Sequence, residues 1–510
     1  GAGGGGALWL QGANRDLYPK LHAAERRLIA AAQTDPPERR RPLAQAAREL
    51  TLAQASDWAF LMARGQAGDY AARRAKEHLS NCESLLRAAN VDPGELTALE
   101  ARHPLFPGLD PDRLAPYAPR TETGEIVMLS WEFPPHAVGG LGRHVYELAH
   151  ALARRGRRVS VVCPAQGEEA TGTRRDGGVA VHRVRVPDAG PFLARIDALN
   201  RRLIAWALNR WSAAQVQLVH AHDWLVGRAA QTLALAWRRP LIATIHATEL
   251  GRVGRIREPI QQLIHEEELL LVHHAERVIT VSRAMQRGLV SGFGLEPDRT
   301  EVIYNAIDAA SLWSPAIGRR AAALRRALRR PLIVFAGRLV REKGVDVLLA
   351  ACARLAATHA FKLAVLGRGG ERQALERLAG ELGLAERVEF MGYVQHPRLG
   401  AYLRAADVVA VPSRYEPFGI VALEAMAARS ALAASATGGL AEVVEHERTG
   451  LLVEPGNADA WAAALARLLD DPELRRRLSA RAAADVRARW GWDKVAQATE
   501  ALYAEALAPT

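Results

Sequence analysis

Hydrophobic and polar positions divide this chain into three blocks. In the first 90 residues, apolar positions recur at helical spacing, most clearly over 43–63 and 69–89, with almost none of the alternation of strands. Residues 91–120 hold a cluster of prolines that is typical of a linker. From residue 125 onward, short apolar runs alternate with helical stretches, as in βαβ units. The pattern predicts a helical segment, 1–90, followed by a parallel-sheet α/β region.

The apolar runs of the α/β region form two series, separated at 314–330 by a basic stretch of helical composition. Two doubly wound sheets are therefore predicted, one in a domain 121–313 and the other in a domain 314–510 that ends in helices. Since ligands of such sheets bind beyond the carboxyl ends of the strands, the cleft between two facing sheets is the predicted site. The predicted strands are 126–131, 159–163, 179–184, 218–222, 241–246, 278–281 and 302–305, then 332–336, 362–366, 388–391, 408–411, 431–434 and 451–453.

Composition narrows the class of protein. A chain of 510 residues suits about three domains of roughly 150 residues each. The net charge of +11 comes largely from Arg-rich helices, and without a nucleic-acid motif it indicates a solvated surface and no nucleic-acid partner. No apolar run reaches the ~18 residues of a membrane span. Three widely spaced cysteines predict neither a disulfide framework nor a zinc site, so a reducing, cytoplasmic location is expected.

Two glutamates give the strongest chemical signal. Glu416 follows the predicted strand 408–411, and Glu424 lies about two turns into a helix that begins after Pro417 and Gly419. The N–H groups at the start of that helix form an anion site between the two carboxylates. A nucleotide-sugar, with hydroxyl groups on both sides of a diphosphate, suits this arrangement. For Glu416 alone, the alternative is a carboxylate that only complements the helix dipole.

Two cations follow the first strand of the second series. Arg338 and Lys343 lie just beyond 332–336, where a guanidinium fork and a compact ammonium would neutralise a diphosphate leaving group. Stabilising charge as it develops is usually the largest catalytic effect, and here it would take the place of a metal ion, so no metal cofactor is expected. Either residue alone is also consistent with a solvated surface cation.

Glycine-rich loops follow strands in both series. Gly139, Gly140 and Gly142 let a ligand approach the backbone and open a predicted helix, but their spacing differs from the dinucleotide fingerprint G-x-G-x-x-G. A tight strand–helix turn explains them equally well. Gly438 and Gly439 offer backbone donors in a second loop of this kind.

Histidines end two strands of the first series. His220, His222 and Asp223 close one strand, and His246 ends the next. Their spacing suits a metal, yet alternation directs the two histidines to one face and Asp223 to the other, and no further ligand is evident. Acceptor-side hydroxyl binding by His222 and Asp223 is favoured, and His246 would bond a sugar hydroxyl or share a transient proton. For His246 the alternative is a buried structural histidine.

Taken together, residues 125–505 resemble the retaining glycosyltransferases of family 4, which have the GT-B fold of two facing Rossmann-like domains. The resemblance is carried by E-x-x-x-x-x-x-x-E (Glu416 and Glu424), G-R-L-x-x-E-K-G and G-G-L-G, while H-A-H-D-W and T-I-H are similar to runs of bacterial glycogen and starch synthases. Two positions depart from the family pattern: Ala306 stands where glycine is usual, and Arg429 replaces a glycine near the end of the helix that holds Glu424.

The resemblance implies roles for individual residues. Arg338 and Lys343 would bind the donor diphosphate, Glu416 would contact the 3- and 4-hydroxyls of the donor sugar, and Glu424 would bind the ribose. His246 would lie beside the transferred sugar. The implied mechanism is front-face return, in which the leaving diphosphate oxygen helps to deprotonate the acceptor. The remaining residues implied at the donor are Gly140, Gly142, Phe418 and Gly419.

The front block has a resemblance of its own. Residues 48–62 and 69–78 resemble the helical C-terminal part of glycoside hydrolase family 57 branching enzymes, whose catalytic carboxylates lie in an upstream barrel. This block is therefore not expected to branch or hydrolyse glucan by itself. Ser56, Asp57 and Trp58 would retain some glucan affinity, since Trp stacks on sugar faces, or the block is a purely structural cap.

The predicted function is transfer of glucose from ADP- or UDP-glucose to an α-glucan or a small glucosyl acceptor, as in glycogen synthase. The expected partners are the nucleotide-sugar, the carbohydrate acceptor and a branching enzyme of the same pathway. One alternative is transfer to a lipid or phosphorylated acceptor. Another is a non-catalytic glucan-binding protein that keeps the GT-B shape, which loss of the cations or of Glu416 would have favoured.

Overall fold

The computed structural model describes residues 17–54, 69–88, 90–103, 124–135, 139–165, 171–187, 190–328 and 330–508. The predicted glucan contacts Ser56, Asp57 and Trp58 lie outside these ranges, as does most of the proline cluster. None of the helices in the described ranges is both long and apolar enough to cross a membrane. Cys82, Cys163 and Cys352 are buried, and no disulfide bond joins any of them.

The first sheet has eight strands in the order β3-β4-β2-β1-β5-β6-β7-β8, parallel except for β3, which pairs antiparallel with β4. The pattern of apolar runs does not predict β3, because this edge strand is exposed along its whole length and has no apolar face. The predicted strand at 302–305 is instead a shorter strand that ends at Val302. The strands are β1 Glu125–Ser130, β2 Val159–Ala165, β3 Gly172–Asp176, β4 Val179–Arg185, β5 Val216–His222, β6 Leu241–Ile245, β7 Arg277–Thr280 and β8 Thr300–Val302.

The second sheet has six parallel strands in the order β11-β10-β9-β12-β13-β14. Every strand of the second predicted series is present within one residue of its predicted bounds. The inner strands are buried on both faces and are therefore continuous apolar runs, whereas the edge strand Val388–Gly392 is only partly buried. The strands are β9 Leu332–Ala336, β10 Lys362–Leu366, β11 Val388–Gly392, β12 Val408–Val411, β13 Ala431–Ser435 and β14 Leu451–Val453.

Helices cover both sheets and also form a separate block at the front of the chain. The front helices are α1 Leu17–Thr34, α2 Arg40–Ala53, α3 Tyr70–Arg87 and α4 Pro93–Arg102. Those of the first sheet region are α5 Gly140–Arg154, α6 Phe192–Arg210, α7 Gly227–Trp237, α8 Glu249–Val253, α9 Pro259–His274 and α10 Arg283–Phe293. Those that follow are α11 Pro315–Ala327, α12 Val345–Leu355, α13 Arg372–Glu381, α14 His396–Ala405, α15 Ile420–Ala427, α16 Leu440–Val443, α17 Ala458–Asp470, α18 Pro472–Arg489 and α19 Trp492–Leu507.

The front block has its own apolar core, built from leucines and alanines of α1 to α4. The linker prediction for 91–120 was wrong over α4, because Pro93 stands at a first-turn position that tolerates proline and the Asp92 carboxylate accepts a hydrogen bond from the Glu95 N–H at 2.8 Å. The block contacts the first sheet region through α1, where Arg26 pairs with Glu296 at 3.3 Å.

The chain passes between the two sheets twice. The basic stretch forms α11, which is capped by Ser314 and packs against α14 of the second sheet region. The chain then returns at its end, because α19 packs on α5 and buries Trp492 and Tyr503 in the core of the first sheet. The predicted division at residue 314 therefore follows the sheets, but the last helix of the 314–510 domain lies on the first one.

Candidate active site

The strand order brings distant motifs together. In the second sheet, β9 lies between β10 and β12, so the loops that follow β9 and β12 leave the sheet side by side. The first sheet has the same reversal of direction at β1 and β5. Such switch points are where doubly wound sheets bind ligands, because the two loops diverge and open a crevice. Each of the predicted motifs lies at the carboxyl end of a strand at or next to one of these points.

Lys343 and Glu416 form the centre of the second sheet's site. The Lys343 ammonium lies 2.6 Å from Glu416 Oε2, which also accepts a hydrogen bond from the Ser413 hydroxyl at 3.1 Å. The Glu416 side chain is only 12% exposed. A buried pair of this kind is fixed in position, because removing either partner leaves an uncompensated charge.

Gly438 and Gly439 contact the backbone of the Glu416 loop. The Gly439 N–H donates to the Glu416 carbonyl at 3.0 Å. Gly438 has φ +49°, and a Cβ atom there would lie 2.1 Å from the same carbonyl oxygen. The second glycine-rich loop therefore positions Glu416 through its backbone.

Arg338 lies apart from this pair. Its guanidinium contacts Glu342 at 3.4 Å, and the side chain is 46% exposed. The structure therefore brings Lys343 and Glu416 into contact but leaves Arg338 at the cleft surface, where it is free to turn towards a ligand.

Glu424 and Phe418 are both buried in the helix α15 region. Burial raises the pKa of Glu424 to about 7, and the charge of Arg143 partly opposes this rise. The Phe418 ring is only 2% exposed and packs against Trp490 at 5.7 Å between centroids. Gly419, between Phe418 and α15, has φ +102° and would meet Leu440 if it carried a Cβ atom. Phe418 thus supports the loop from the core, while the start of α15 faces the cleft.

In the first sheet, the glycine-rich loop encloses a carboxylate of the chain itself. The N–H groups of Gly139 and Gly142 each donate to a different Glu132 oxygen at 3.3 Å. The Glu132 carboxylate therefore accepts hydrogen bonds from the N–H groups of Gly139 and Gly142, which the sequence predicts to face a ligand. Gly140 instead lies at the cleft, where a Cβ atom would come within 3.0 Å of Ile420 at the start of α15.

Three imidazoles meet at the carboxyl end of the first sheet. His222 Nδ1 lies 3.3 Å from His246 Nε2, and the His144 ring contacts the His246 ring with centroids 4.6 Å apart. His144 Nδ1 lies 2.7 Å from the side-chain oxygen of Asn305. Burial lowers the pKa of His144 to about 4 and those of His222 and His246 well below their usual value, so all three rings are neutral at pH 7.

Asp223 positions His246. Its carboxylate accepts a hydrogen bond from the His246 N–H at 2.7 Å, and burial raises its pKa to about 7 against the opposing effect of that bond. Asp223 has φ +62°, in the left-handed region that non-glycine residues rarely adopt. The strand therefore ends abruptly at Asp223, and its side chain organises the β6 loop. His220 lies deeper, between Tyr503 and Thr244.

Residues of the two sheet regions contact each other across the cleft. The Thr248 N–H lies 3.4 Å from the Tyr415 hydroxyl, and Gly251 leaves room for the Tyr415 ring. The Glu442 carboxylate accepts hydrogen bonds from the N–H groups of Arg283 and Ala284, at 3.0 and 2.8 Å, and so caps α10 of the opposite region. The cleft is therefore closed around the Glu416 and His246 loops.

Both departures from the family pattern fit the structure. Arg429 adopts φ +61° just after α15, a conformation that usually takes glycine, and its guanidinium lies 5.2 Å from the centroid of the Trp313 ring. Ala306 is buried in the core next to Asn305. Neither change displaces a charged group of the site.

The sequence patterns did not single out Glu132, His144, Asn305 and Tyr415 as site residues. His144 stands two residues after Gly142, so a polar residue at the start of the second turn of a ligand-facing helix was the available signal. Glu132, Asn305 and Tyr415 act through contacts between distant segments, and no local pattern marks them.

Three family models match the chain. "Glycosyltransferase Family 4" matches residues 138–311, and "Glycosyl transferases group 1" matches residues 320–485. The model "1,4-alpha-glucan branching enzyme, C-terminal" matches residues 20–113, which span the front block.

Relatives and solved structures agree with these models. An uncharacterized glycosyltransferase of Methanocaldococcus jannaschii is 34% identical over 75% of this chain and 98% of its own length. The glycogen synthase of Mycobacterium tuberculosis is 35% identical over 74% of this chain and 94% of its own length. The structure of sucrose-phosphate synthase from Thermosynechococcus elongatus has a TM-score of 0.67 and 28% identity over 75% of this chain and 98% of its own length. The predicted fold class, two facing Rossmann-like sheets with a helical front segment, is confirmed.

Proposed function

The chain belongs to glycosyltransferase family 4, and on that premise we propose that it transfers glucose, with retention, from ADP- or UDP-glucose to an α-glucan or a small glucosyl acceptor. The observation that carries the proposal is the buried pair of Lys343 and Glu416 at the switch point of the second sheet. Tyr415, next to Glu416 in sequence, contacts Thr248, which stands two residues after His246, so a ligand at the pair would lie close to the neutral imidazole of His246.

The residues suit the separate parts of a nucleotide-sugar. Lys343, with Arg338 turning in from the surface, would neutralise the charge that develops on the leaving diphosphate. The start of α15 and its dipole would add backbone donors to that diphosphate. Glu416 would hold hydroxyls of the donor sugar, and Glu424 would accept from the ribose.

The acceptor side lies at the first sheet. Asp223 holds the backbone of His246, so the imidazole has a fixed place from which to bond the transferred sugar. His246 is neutral at pH 7 and is suited to hydrogen bonding with an uncharged hydroxyl. In a front-face mechanism, the acceptor oxygen bonds to the anomeric carbon on the face from which the diphosphate leaves, and the acceptor proton passes to the leaving diphosphate oxygen, so no side chain has to act as nucleophile or as base.

The preference for an α-glucan rests on two similarities. The chain is 35% identical to a glycogen synthase, and its front block matches a branching-enzyme segment. A chain with both similarities is suited to a pathway in which a branching enzyme acts on the same glucan. We expect the transfer itself to need no metal cofactor.

A donor screen tests the proposal. Release of nucleoside diphosphate from ADP-, UDP- and GDP-sugars would be followed with and without glycogen or maltooligosaccharides. Release that requires a glucose donor and rises with glucan is expected. Release unaffected by glucan, or seen only with a mannose donor, would contradict the glucan assignment.

Glu416→Gln provides the matched test of the site. It keeps the shape of the side chain but removes the charge that pairs with Lys343, and we expect turnover to fall by at least about a hundredfold with the fold intact. Glu376→Gln, at an exposed helical ion pair with Arg372, is the control. Equal turnover in both variants would remove Glu416 from the site.

A phosphorylated acceptor is the second candidate, favoured by the similarity to sucrose-phosphate synthase. Gly251 of α8 packs on Tyr415, and Arg252, Arg255 and Arg257 follow it in sequence. These cations suit an acceptor phosphate. Adding sugar phosphates to the donor screen distinguishes the two: stimulation by a sugar phosphate but not by glucan favours this candidate.

A further inference from the structure

The three imidazoles of His144, His222 and His246 form a cluster that the proposed transfer does not explain. One ring nitrogen of each lies within 4.8 Å of the others. The proposed transfer places His246 beside the donor sugar and gives His144 no role, and the acceptor-side contact predicted for His222 concerns that ring alone. His144 and His222 are both buried, at 1% and 0% exposure, on α5 and β5 behind it.

His144 presents an unsatisfied lone pair. The Asn305 side-chain oxygen accepts hydrogen bonds only, so His144 Nδ1 carries the proton and donates it at 2.7 Å. His144 Nε2 is then an acceptor, and within the described part of the chain no hydrogen-bond partner reaches it. In metal sites, a histidine ligand commonly donates one ring N–H to an oxygen and binds the metal through its other ring nitrogen. His144 has this arrangement.

The spacing of the other two rings also suits a metal. Two nitrogens bound to one tetrahedral ion at ~2.05 Å lie about 3.3 Å apart. His222 Nδ1 and His246 Nε2 are 3.3 Å apart.

The cluster's outer side faces the cleft. His246 is only partly buried, whereas the rings behind it are enclosed. A cation held here would have three protein ligands and a fourth position open to the cleft. We propose that His144, His222 and His246 bind a divalent transition-metal cation of the Zn²⁺ class, and that this cation inhibits transfer by occupying the place beside the donor sugar.

A second buried cluster provides the contrast. Glu49 accepts from His78 and His103 at 2.8 and 2.7 Å in the front block. Those atoms satisfy one another directly and stand too close together to share a tetrahedral ion, whose ligands lie about 3.3 Å apart. His78→Gln is therefore the matched control.

Metal binding is measured directly on the full chain, stripped with EDTA, by calorimetry with Zn²⁺ and by visible absorption with Co²⁺. One site per chain is expected, with affinity lowered at least a hundredfold in His144→Gln and in His246→Gln and unchanged in His78→Gln. His246→Gln, at the cleft surface, covers the case in which the buried variant fails to fold. Absence of binding, binding retained in both cluster variants, or loss in the control would overturn the site.

The inhibitory part rests on the proposed function and is tested separately. In a chain that transfers glucose, Zn²⁺ is expected to stop transfer and EDTA to restore it. Zn²⁺ binding without inhibition of transfer would overturn the proposed inhibition but not the metal site. A chain that binds Zn²⁺ but releases no nucleoside diphosphate from any sugar donor would contradict the transferase and leave the metal site standing.

Discussion

At the scale of single residues, the site depends on how burial and pairing fix a few charges. Lys343 and Glu416 each hold the other in place, so neither acts as an independent point charge. Glu424 has a pKa of about 7 because burial disfavours its carboxylate. Arg338, by contrast, is half-exposed, and its guanidinium contacts the Glu342 carboxylate at 3.4 Å. We therefore expect the buried residues to set turnover, and Arg338 to contribute only once a ligand draws it inward.

Replacing Lys343 tests the diphosphate role. Lys343→Met keeps most of the side-chain volume but removes the ammonium, and we expect affinity for the nucleoside diphosphate to fall at least about tenfold, because a charge-assisted contact is lost. Lys362→Met, at the opposite end of the sheet at the start of β10, should bind normally. Calorimetry with ADP and UDP measures both. Unchanged affinity in Lys343→Met would defeat the assignment.

The raised pKa of Glu424 predicts a pH dependence of donor binding. In the ligand-free protein Glu424 is mainly protonated below pH 7 and ionised above it. If the Glu424 carboxylate accepts a hydrogen bond from the ribose, we expect a pH-dependent ratio of affinities. The ratio of the unsubstituted protein's affinity for nucleoside diphosphate to that of Glu424→Gln should rise by up to about tenfold from pH 6 to pH 8, because the ionised fraction of Glu424 grows. Taking the ratio of the two proteins cancels titration of the ligand. A ratio that stays flat across this range would mean that Glu424 does not bind as an anion.

At the level of elements, the helices and strands that a local sequence pattern marks were predicted well. Contacts that depend on how distant segments of the chain pack together were not predicted. The buried strands β9, β10, β12 and β13 show as apolar runs, and Pro417 and Gly419 mark the turn before α15. The exposed edge strand β3 carries no such run, and α4 was hidden by the prolines around it. The pairing of Glu416 with Lys343, 73 positions away, depends on strand order, which no local pattern encodes. The same is true of His144 and Asn305.

The second glycine-rich loop gives a prediction at this scale. Gly438→Ala would place a Cβ atom 2.1 Å from the Glu416 carbonyl oxygen, so the backbone of the Glu416 loop must shift. We expect donor affinity to fall more than tenfold, since a displacement of about 1 Å is costly at a catalytic site.

Gly456→Ala is the matched control for this substitution. Gly456 also has a positive φ, of +78°, but nothing lies within 4 Å of its Cβ position. Both variants should lose about 1 kcal/mol of unfolding free energy to the positive φ, and Gly438→Ala should lose more because of its contact with the Glu416 carbonyl oxygen. Equal donor affinity in the two would show that the loop does not set the position of Glu416.

At the scale of the whole molecule, the two sheets are tied together by elements that cross between them. Glu442 of the second region caps α10 of the first, and Tyr415 reaches the loop that begins α8. The last helix, α19, returns to the first sheet and buries Tyr503 against His220. The boundaries of the domains in sequence therefore differ from those in space, and the last helix supports the half of the cleft that lies within residues 140–310.

The contact of α19 with β5 gives a test of that arrangement. The Tyr503 hydroxyl lies 2.6 Å from His220 Nδ1, and both side chains are buried. Tyr503→Phe leaves this nitrogen without its partner, at a cost of about 1–3 kcal/mol in unfolding free energy. Tyr393→Phe, on an exposed side chain, should change stability by less than about 0.5 kcal/mol.

Hydrogen exchange locates the effect of this substitution. Amides of β1 and β5 should exchange faster in Tyr503→Phe, while those of β9 and β12 should be unchanged, because the lost contact belongs to the first sheet alone. Nucleoside diphosphate binding, which we assign to the second sheet, should be retained. Faster exchange confined to the second sheet would mean that α19 stabilises the second sheet, which precedes it in sequence, and not the first sheet, on which it packs.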